Sequence, residues 1–257
     1  MSKGTDSLGD RMKSYYEDVY RFKLTRRTPV IIRLDMRAGH TFTRKFKKPY
    51  DLIFTHSMFQ TAIKLCENIQ NVKIAYVQSD EISLLLTDYN KLTTSQWFDG
   101  NIQKIVSISA SIATISFNEA YTHEILLHDL TNEETQLYSS RINKMTFDSR
   151  VFNLPESEVT NYFIFRQNDA TRNSIEAAGQ FYFSPKQLHK VTCNQIQDKL
   201  FTEKNVNWND YPVFFKRGAC IIKEYYQIND VERSHWIIDY DTPIFTQNRD
   251  YIEKCLV

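Results

Sequence analysis

The sequence predicts an α+β fold: a βαββαβ antiparallel sheet of ferredoxin-like connectivity, with its helices on one face. Three observations predict it. A short β-branched apolar run at 30–34 is closed by an acid, Asp35. Two apolar runs, 74–77 and 82–86, flank a polar tip. Two longer segments, 51–68 and 102–121, carry apolar residues at helical spacing and fall between the strand signals.

Each element can be justified in order. In 6–22, Leu8, Met12, Tyr15, Tyr16, Val19 and Phe22 recur at three- and four-residue steps, with Asp6 or Ser7 as cap, which predicts an amphipathic helix. Pro29 precedes the first strand, and Asp35 sits at its C-terminal tip. Residues 37–50 are basic and irregular. Segment 51–68 places Met58, Ala62, Ile63, Leu65 and Cys66 on one helical side. The runs around Gln78-Ser79-Asp80-Glu81 read as an antiparallel hairpin with a four-residue tip. The many Ile residues of 102–121 favour strand, but its length and period favour helix. Residues 146–154 supply the last strand.

Further on, 157–167 and 171–179 read as two helices, and 184–203 contains another. Residues 213–222 read as two strands around a basic turn, and 245–257 as a charged peripheral tail. The chain divides into a core, 1–155, and an extension, 156–257, packed on it. No Pro-, Gly- or Ser-rich linker and no repeat interrupts it.

Composition narrows the function classes. The 257 residues are 42% hydrophobic and 25% charged, as in ordinary globular chains, which excludes a disordered protein. Six Gly and six Pro exclude collagen. No apolar stretch is long enough for a membrane span, and residues 1–10 lack the apolar core of a secretory signal. Cys66, Cys193, Cys220 and Cys255 are scattered without ligand spacing, so a reducing, cytoplasmic setting is expected. A net charge of +1 means that any polyanion must be met by local patches.

Two acids stand out. In a βαββαβ sheet, Asp35 and Asp80 end at one sheet edge, where paired carboxylates suit Mg²⁺. Glu81 is expected to alternate to the other side of its strand, in a supporting role. Arg33, Arg37, His40, Arg44, Lys45, Lys47 and Lys48 crowd the adjoining segment, where cations and loop amides can cradle phosphate. A lone strand-end Asp is more often a solvated turn residue, and a lone basic cluster a solvated loop. Together they suggest a nucleoside triphosphate held through a metal.

These residues carry a resemblance. Segment 33–43, RLDMRAGHTFT, is similar to the RLDGRxFHxFT signature of tRNA-histidine guanylyltransferases. Residues 48–51, KPYD, resemble that family's KPxD; 75–83, AYVQSDEIS, resemble AYGQSDEYS; and 147–150, FDSR, resemble FDGR. The resemblance covers at least 8–154 with order and spacing kept. It implies a polymerase/cyclase-like palm and an enzyme that polymerises 3′ to 5′. In that reaction the 3′-hydroxyl of a nucleoside triphosphate (ATP or GTP) attacks an activated tRNA 5′ end.

By position, the resemblance implies that Asp35, Asp80 and the Met36 carbonyl hold two Mg²⁺ ions. Arg37, Ala38, Gly39 and His40 would meet phosphates, with Lys48 and Ser79 near the activated end and Lys104 on a triphosphate-facing helix. Asp51 and Glu81 would support them, and Arg150, Lys216 and Arg217 would contact RNA. A homotetramer is also implied.

Departures from the family pattern bear on function. Met36 and Val77 replace family glycines, which matters if the backbone there needs positive φ. After Arg166-Gln167-Asn168-Asp169, the eukaryotic HINNLYN motif is absent; Thr171 stands in place of its His. That loss, and the opening 8–13, resemble the bacterial and archaeal guanylyltransferase-like branch, which repairs truncated tRNA 5′ ends by templating. Two rivals are a cyclase-like palm enzyme, separable by its RNA-free cyclic product, and a catalytically silent tRNA-binding module, separable by metal-independent binding without turnover.

Overall fold

The computed structural model describes residues 7–229 and 231–256. Its first elements are α1 (Ser7–Met12), continued by a π turn and a 3₁₀ turn to Tyr20, then β1 (Val30–Met36), α2 (Gly39–Phe42) and α3 (Leu52–Asn68). The hairpin β2 (Val72–Gln78) and β3 (Glu81–Leu86) follows, then α4 (Ile102–Leu127), α5 (Asn132–Ser139) and β4 (Phe147–Asn153). The extension contributes α6 (Glu156–Tyr182), α7 (Cys193–Lys204), α8 (Val213–Arg217), β5 (Ala219–Ile228), β6 (Val231–Asp239) and α9 (Asp250–Glu253).

The sheet order is β4-β1-β3-β2-β5-β6, antiparallel throughout. Its first four strands, with α3 and α4, are the expected βαββαβ unit. β1 lies in the interior of the sheet, which explains its almost unbroken apolar run: both of its faces are covered. Ile32, Leu34 and Met36 face α3 and α4 in the main core, and Ile31 joins a second core beneath α6. Complete burial of an Ile or Leu contributes about 1.5–3 kcal/mol, so this strand is a major anchor of the fold.

Asp51 starts α3 as its N-cap, its Oδ1 accepting the Phe54 amide at 2.9 Å. Asn101 does the same for α4 through the Lys104 amide at 3.0 Å.

Several expectations need correction. The tip of the β2–β3 hairpin is two residues, Ser79 and Asp80, because Gln78 and Glu81 pair across it; Ser79 takes φ 48° to close the turn. The two helices expected over 157–179 are one helix, α6. No breaker interrupts it, and Arg166, Asp169, Arg172 and Glu176 link successive turns through ion pairs at helical spacing. Residues 213–217 form helix rather than strand, and Gly218 makes the junction with β5 at φ 77°. A Cβ there would meet the Val77 carbonyl at 2.5 Å.

The segment from 245 onward is not peripheral: Phe245, Ile252 and Leu256 are buried in the second core. The N-terminal pattern is amphipathic, yet Leu8, Met12, Tyr15, Tyr16, Val19 and Phe22 are all exposed rather than buried in the core. Of its two expected caps, Asp6 lies outside the described residues. No helix among the described residues is long and apolar enough to cross a membrane.

Candidate active site

The antiparallel registers place Asp35 directly opposite Glu81 on β3 and Asp148 on β4. Residues paired in this way project to the same face, so three carboxylates form a row across three strands. Glu81 therefore does not turn to the side away from Asp35, as alternation had suggested. Asp80 stands beside the row in the hairpin turn, where its carbonyl accepts the Met36 amide at 3.0 Å.

Partial burial, and then the negative charges of Asp80, Glu81 and Asp148, push the Asp35 carboxyl above its ordinary pKa; Arg150 opposes them. Carboxylate oxygens brought to one strand end are the hard donor type that Mg²⁺ takes.

Glu81 is already neutralised. Arg166 on α6 reaches it with Nε to Oε1 at 2.7 Å and Nη2 to Oε2 at 2.6 Å, and both side chains are buried. Arg33 Nε stands 4.0 Å from the same carboxylate. Glu81 thus anchors α6 beneath the row, while Asp35, Asp80 and Asp148 keep free valence.

The loop after β1 is shaped by two small residues with different tasks. Ala38 takes the left-handed conformation, φ 55° and ψ 40°, and opens α2. Gly39 leaves room for Asp80: a Cβ there would fall 2.2 Å from Asp80 Oδ2, and the carboxylate would have to shift. Asp80 therefore leans on the start of α2, where the Gly39 and His40 amides have no acceptor within so short a helix. Met36 and Val77 sit in regular strand, and neither has positive φ, so the replaced glycines leave no backbone strain. Arg37 and His40 are exposed at this loop.

Beside it lies a cavity of about 200 Å³, lined among others by Lys47, Lys48, Asp51, Ser79, Asn173 and Phe214. Ser79 joins the two regions, since it lines the cavity and precedes Asp80. Asp51 has little left for a ligand. Its Oδ2 accepts the Lys47 amide at 3.1 Å and the Tyr138 hydroxyl, and its Oδ1 caps α3. It holds the 47–51 loop in place.

Other expected site residues are dispersed. Lys104 lies near the start of α4, where its neighbour Ile105 lines a small hollow with Val30 and Leu86. That is the opposite end of β1 from Asp35, about 16 Å along the strand at its normal rise. Arg150 stands at the acid row, 3.5 Å from Asp148. Lys216 donates to the Asn209 carbonyl and lies over the Trp208 ring; burial lowers its pKa. Arg217 Nε donates to the Thr242 carbonyl at 3.0 Å. Both serve the packing of α8.

Sequence reasoning passed over Asp148 and Arg166 as site residues. Asp148 could be found only from strand register. The Arg166-Gln167-Asn168-Asp169 stretch proves to be a structural clasp. Gln167 Nε2 donates to the Pro243 carbonyl at 2.9 Å, and the Phe245 amide donates to Gln167 Oε1 at 2.8 Å.

Comparison with known proteins identifies the family. The family model described as tRNAHis guanylyltransferase matches residues 9–155. A bacterial tRNA(His) guanylyltransferase-like protein, solved in complex with ATP and with GTP, superposes with TM-scores of 0.85 and 0.79 at 46% and 44% identity; both comparisons cover 98% of this chain and 99% of the other. A protein of Acanthamoeba polyphaga mimivirus is 29% identical over 98% of this chain and 88% of its own. The tRNA(His) guanylyltransferase of Debaryomyces hansenii is 26% identical over 83% of this chain and 82% of its own.

Proposed function

The chain belongs to the tRNAHis guanylyltransferase family, and from that premise we propose that it is a Mg²⁺-dependent 3′–5′ nucleotidyltransferase that repairs tRNA 5′ ends under template direction. The observation that carries the reading is the carboxylate row of Asp35, Glu81 and Asp148, with Asp80 in the adjoining turn, set beside a cavity of about 200 Å³ with lysines at its rim.

Asp35 and Asp80, with the Met36 carbonyl, would hold the divalent ions. Bound there, Mg²⁺ neutralises phosphate charge and lowers the pKa of an attacking hydroxyl. The Gly39 and His40 amides and Arg37 would receive the triphosphate of the incoming nucleotide. Lys48 and Ser79 would orient the activated tRNA end from the cavity side. The 3′-hydroxyl then attacks the 5′ α-phosphorus. A phosphodiester forms, and pyrophosphate leaves a triphosphorylated end or AMP an adenylylated one. Arg150 would help to hold the RNA backbone over the row.

Template direction rests on Ala170 to Ser174, which replace the motif that accompanies untemplated G addition in eukaryotic members. The homotetramer that the family resemblance implies would find an apolar surface for self-association in the exposed residues of 7–22, and a cytoplasmic enzyme is in keeping with the free cysteines.

The test uses tRNA transcripts that lack their first nucleotide, carry a 5′-triphosphate and differ in the base facing the gap. The expected result is addition of the complementary nucleotide in each case. Addition of G whatever the opposing base would overturn template direction, and a cyclic product formed without RNA would replace the reading altogether.

A further inference from the structure

We propose that His56, Glu124 and His128 form a binding site for one divalent cation of the Zn²⁺ type, held between α3 and α4 and separate from the carboxylate row. One ligand atom from each of the three side chains lies within 4.8 Å of the other two. His56 Nδ1 is 3.5 Å from Glu124 Oε2, and His128 Nδ1 is 3.9 Å from the same oxygen. Ligands about 2.0–2.1 Å from a tetrahedral zinc stand a little over 3 Å apart, so small side-chain rotations close the set.

The electrostatics call for a cation here. Glu124 is 7% exposed, deep for a carboxylate. Among the described residues, no lysine or arginine pairs with it, and its nearest partners are the two imidazoles. A buried charge without a compensating partner is costly, and metal coordination is one of the few ways to hold one.

The local geometry is also prepared. Glu124 and His128 are four residues apart, which sets them one above the other at the end of α4. His128 Nδ1 lies 2.9 Å from the Glu124 carbonyl. A proton donated to that carbonyl leaves the lone pair on Nε2, which is then the His128 ligand atom, while the 3.9 Å from Nδ1 to Glu124 Oε2 records only how near the ring lies. His56 and His128 are each about a third exposed, so an ion can enter from solvent. Imidazoles with one carboxylate select zinc-like ions over Mg²⁺, which prefers oxygen ligands. Three protein ligands leave a fourth position for water. Bound there, the ion would clamp the start of α3, and with it the 47–51 loop, against the end of α4.

The test uses the full chain without a histidine tag, stripped with chelator and titrated with Zn²⁺ by calorimetry in excess Mg²⁺. Metal content is measured afterwards, and cobalt is used as the spectroscopic probe. One equivalent of zinc, and a visible Co²⁺ band of tetrahedral type, are expected in the wild type and in an Asp35→Asn/Asp80→Asn variant. In His56→Gln/His128→Gln, affinity should fall by roughly a hundredfold or more. Glu124→Gln, close in shape, should lose the Co²⁺ band while keeping the wild-type circular dichroism, which separates lost binding from lost folding. Zinc uptake unchanged in the histidine variant, or abolished by the aspartate variant, overturns the proposal, as does an adventitious, substoichiometric ion only.

Discussion

Arg166 on α6 and Glu81 on β3 meet in a bidentate pair, at 2.7 and 2.6 Å, that joins the C-terminal extension to the carboxylate row of the sheet. The pair works in two directions. It fixes α6 against the sheet face, and it removes one negative charge from a row that holds several.

Breaking this pair from one side should therefore be severe. Arg166→Met strands a buried carboxylate and is expected to cost about 3–5 kcal/mol. The double variant Arg166→Met/Glu81→Leu should recover most of that loss. Urea unfolding of the two variants and the wild type checks the non-additivity.

Asp35 should trade stability for function. Its pKa is raised in the folded state, so its favourable contribution is present below the ordinary value of 3.8 and is lost as pH rises through the raised value. Without divalent ions, Asp35→Asn should therefore melt higher than wild type at neutral pH, and the gap should close in acid. The same variant should lose the Mg²⁺-dependent rise in Tm. Thermal melts with and without Mg²⁺ across pH read both effects.

Gly39→Ala isolates the contact with Asp80. The position does not have positive φ, so the added methyl introduces no backbone strain; it introduces a 2.2 Å clash with Asp80 Oδ2. Activity should fall by about tenfold to a hundredfold as the carboxylate is displaced, a loss typical of a disturbed metal environment. Single-turnover extension, with a Tm within a few degrees of wild type, is the expected combination.

Asp51 should behave as a positioning residue. Asp51→Ala removes a helix cap and two further hydrogen bonds, at a cost of about 2–4 kcal/mol. Tyr138→Phe removes only the hydroxyl contact and should cost about 1.5–3 kcal/mol, as for hydrogen bonds to charged groups. Both should raise the nucleotide KM more than they lower kcat, because the 47–51 loop loses its brace. Denaturant unfolding and steady-state kinetics measure the two effects.

The sequence made the central sheet legible because interior strands appear as continuous apolar runs, and the acids at 35 and 80 interrupt those runs at their ends. The cross-strand register was not legible. Asp148 lies 113 residues from Asp35 in the chain, and only pairing brings them opposite each other. Arg166 was hidden for a related reason: an arginine on the buried side of a helix becomes intelligible only once its carboxylate partner on the sheet is known. The tail misled through its composition, since its charges surround the three apolar residues that enter the second core. The N-terminal helix misled in the opposite sense, because periodicity identifies a face without supplying what covers it.

The most direct test of the account is extension of a 5′-triphosphorylated tRNA lacking its first nucleotide, with Mg²⁺ and the complementary nucleotide, by wild type, Asp35→Ala and Asp80→Ala. The account predicts extension by the wild type only, with both variants losing roughly two orders of magnitude or more in rate while still binding tRNA. Full extension by either variant would contradict it.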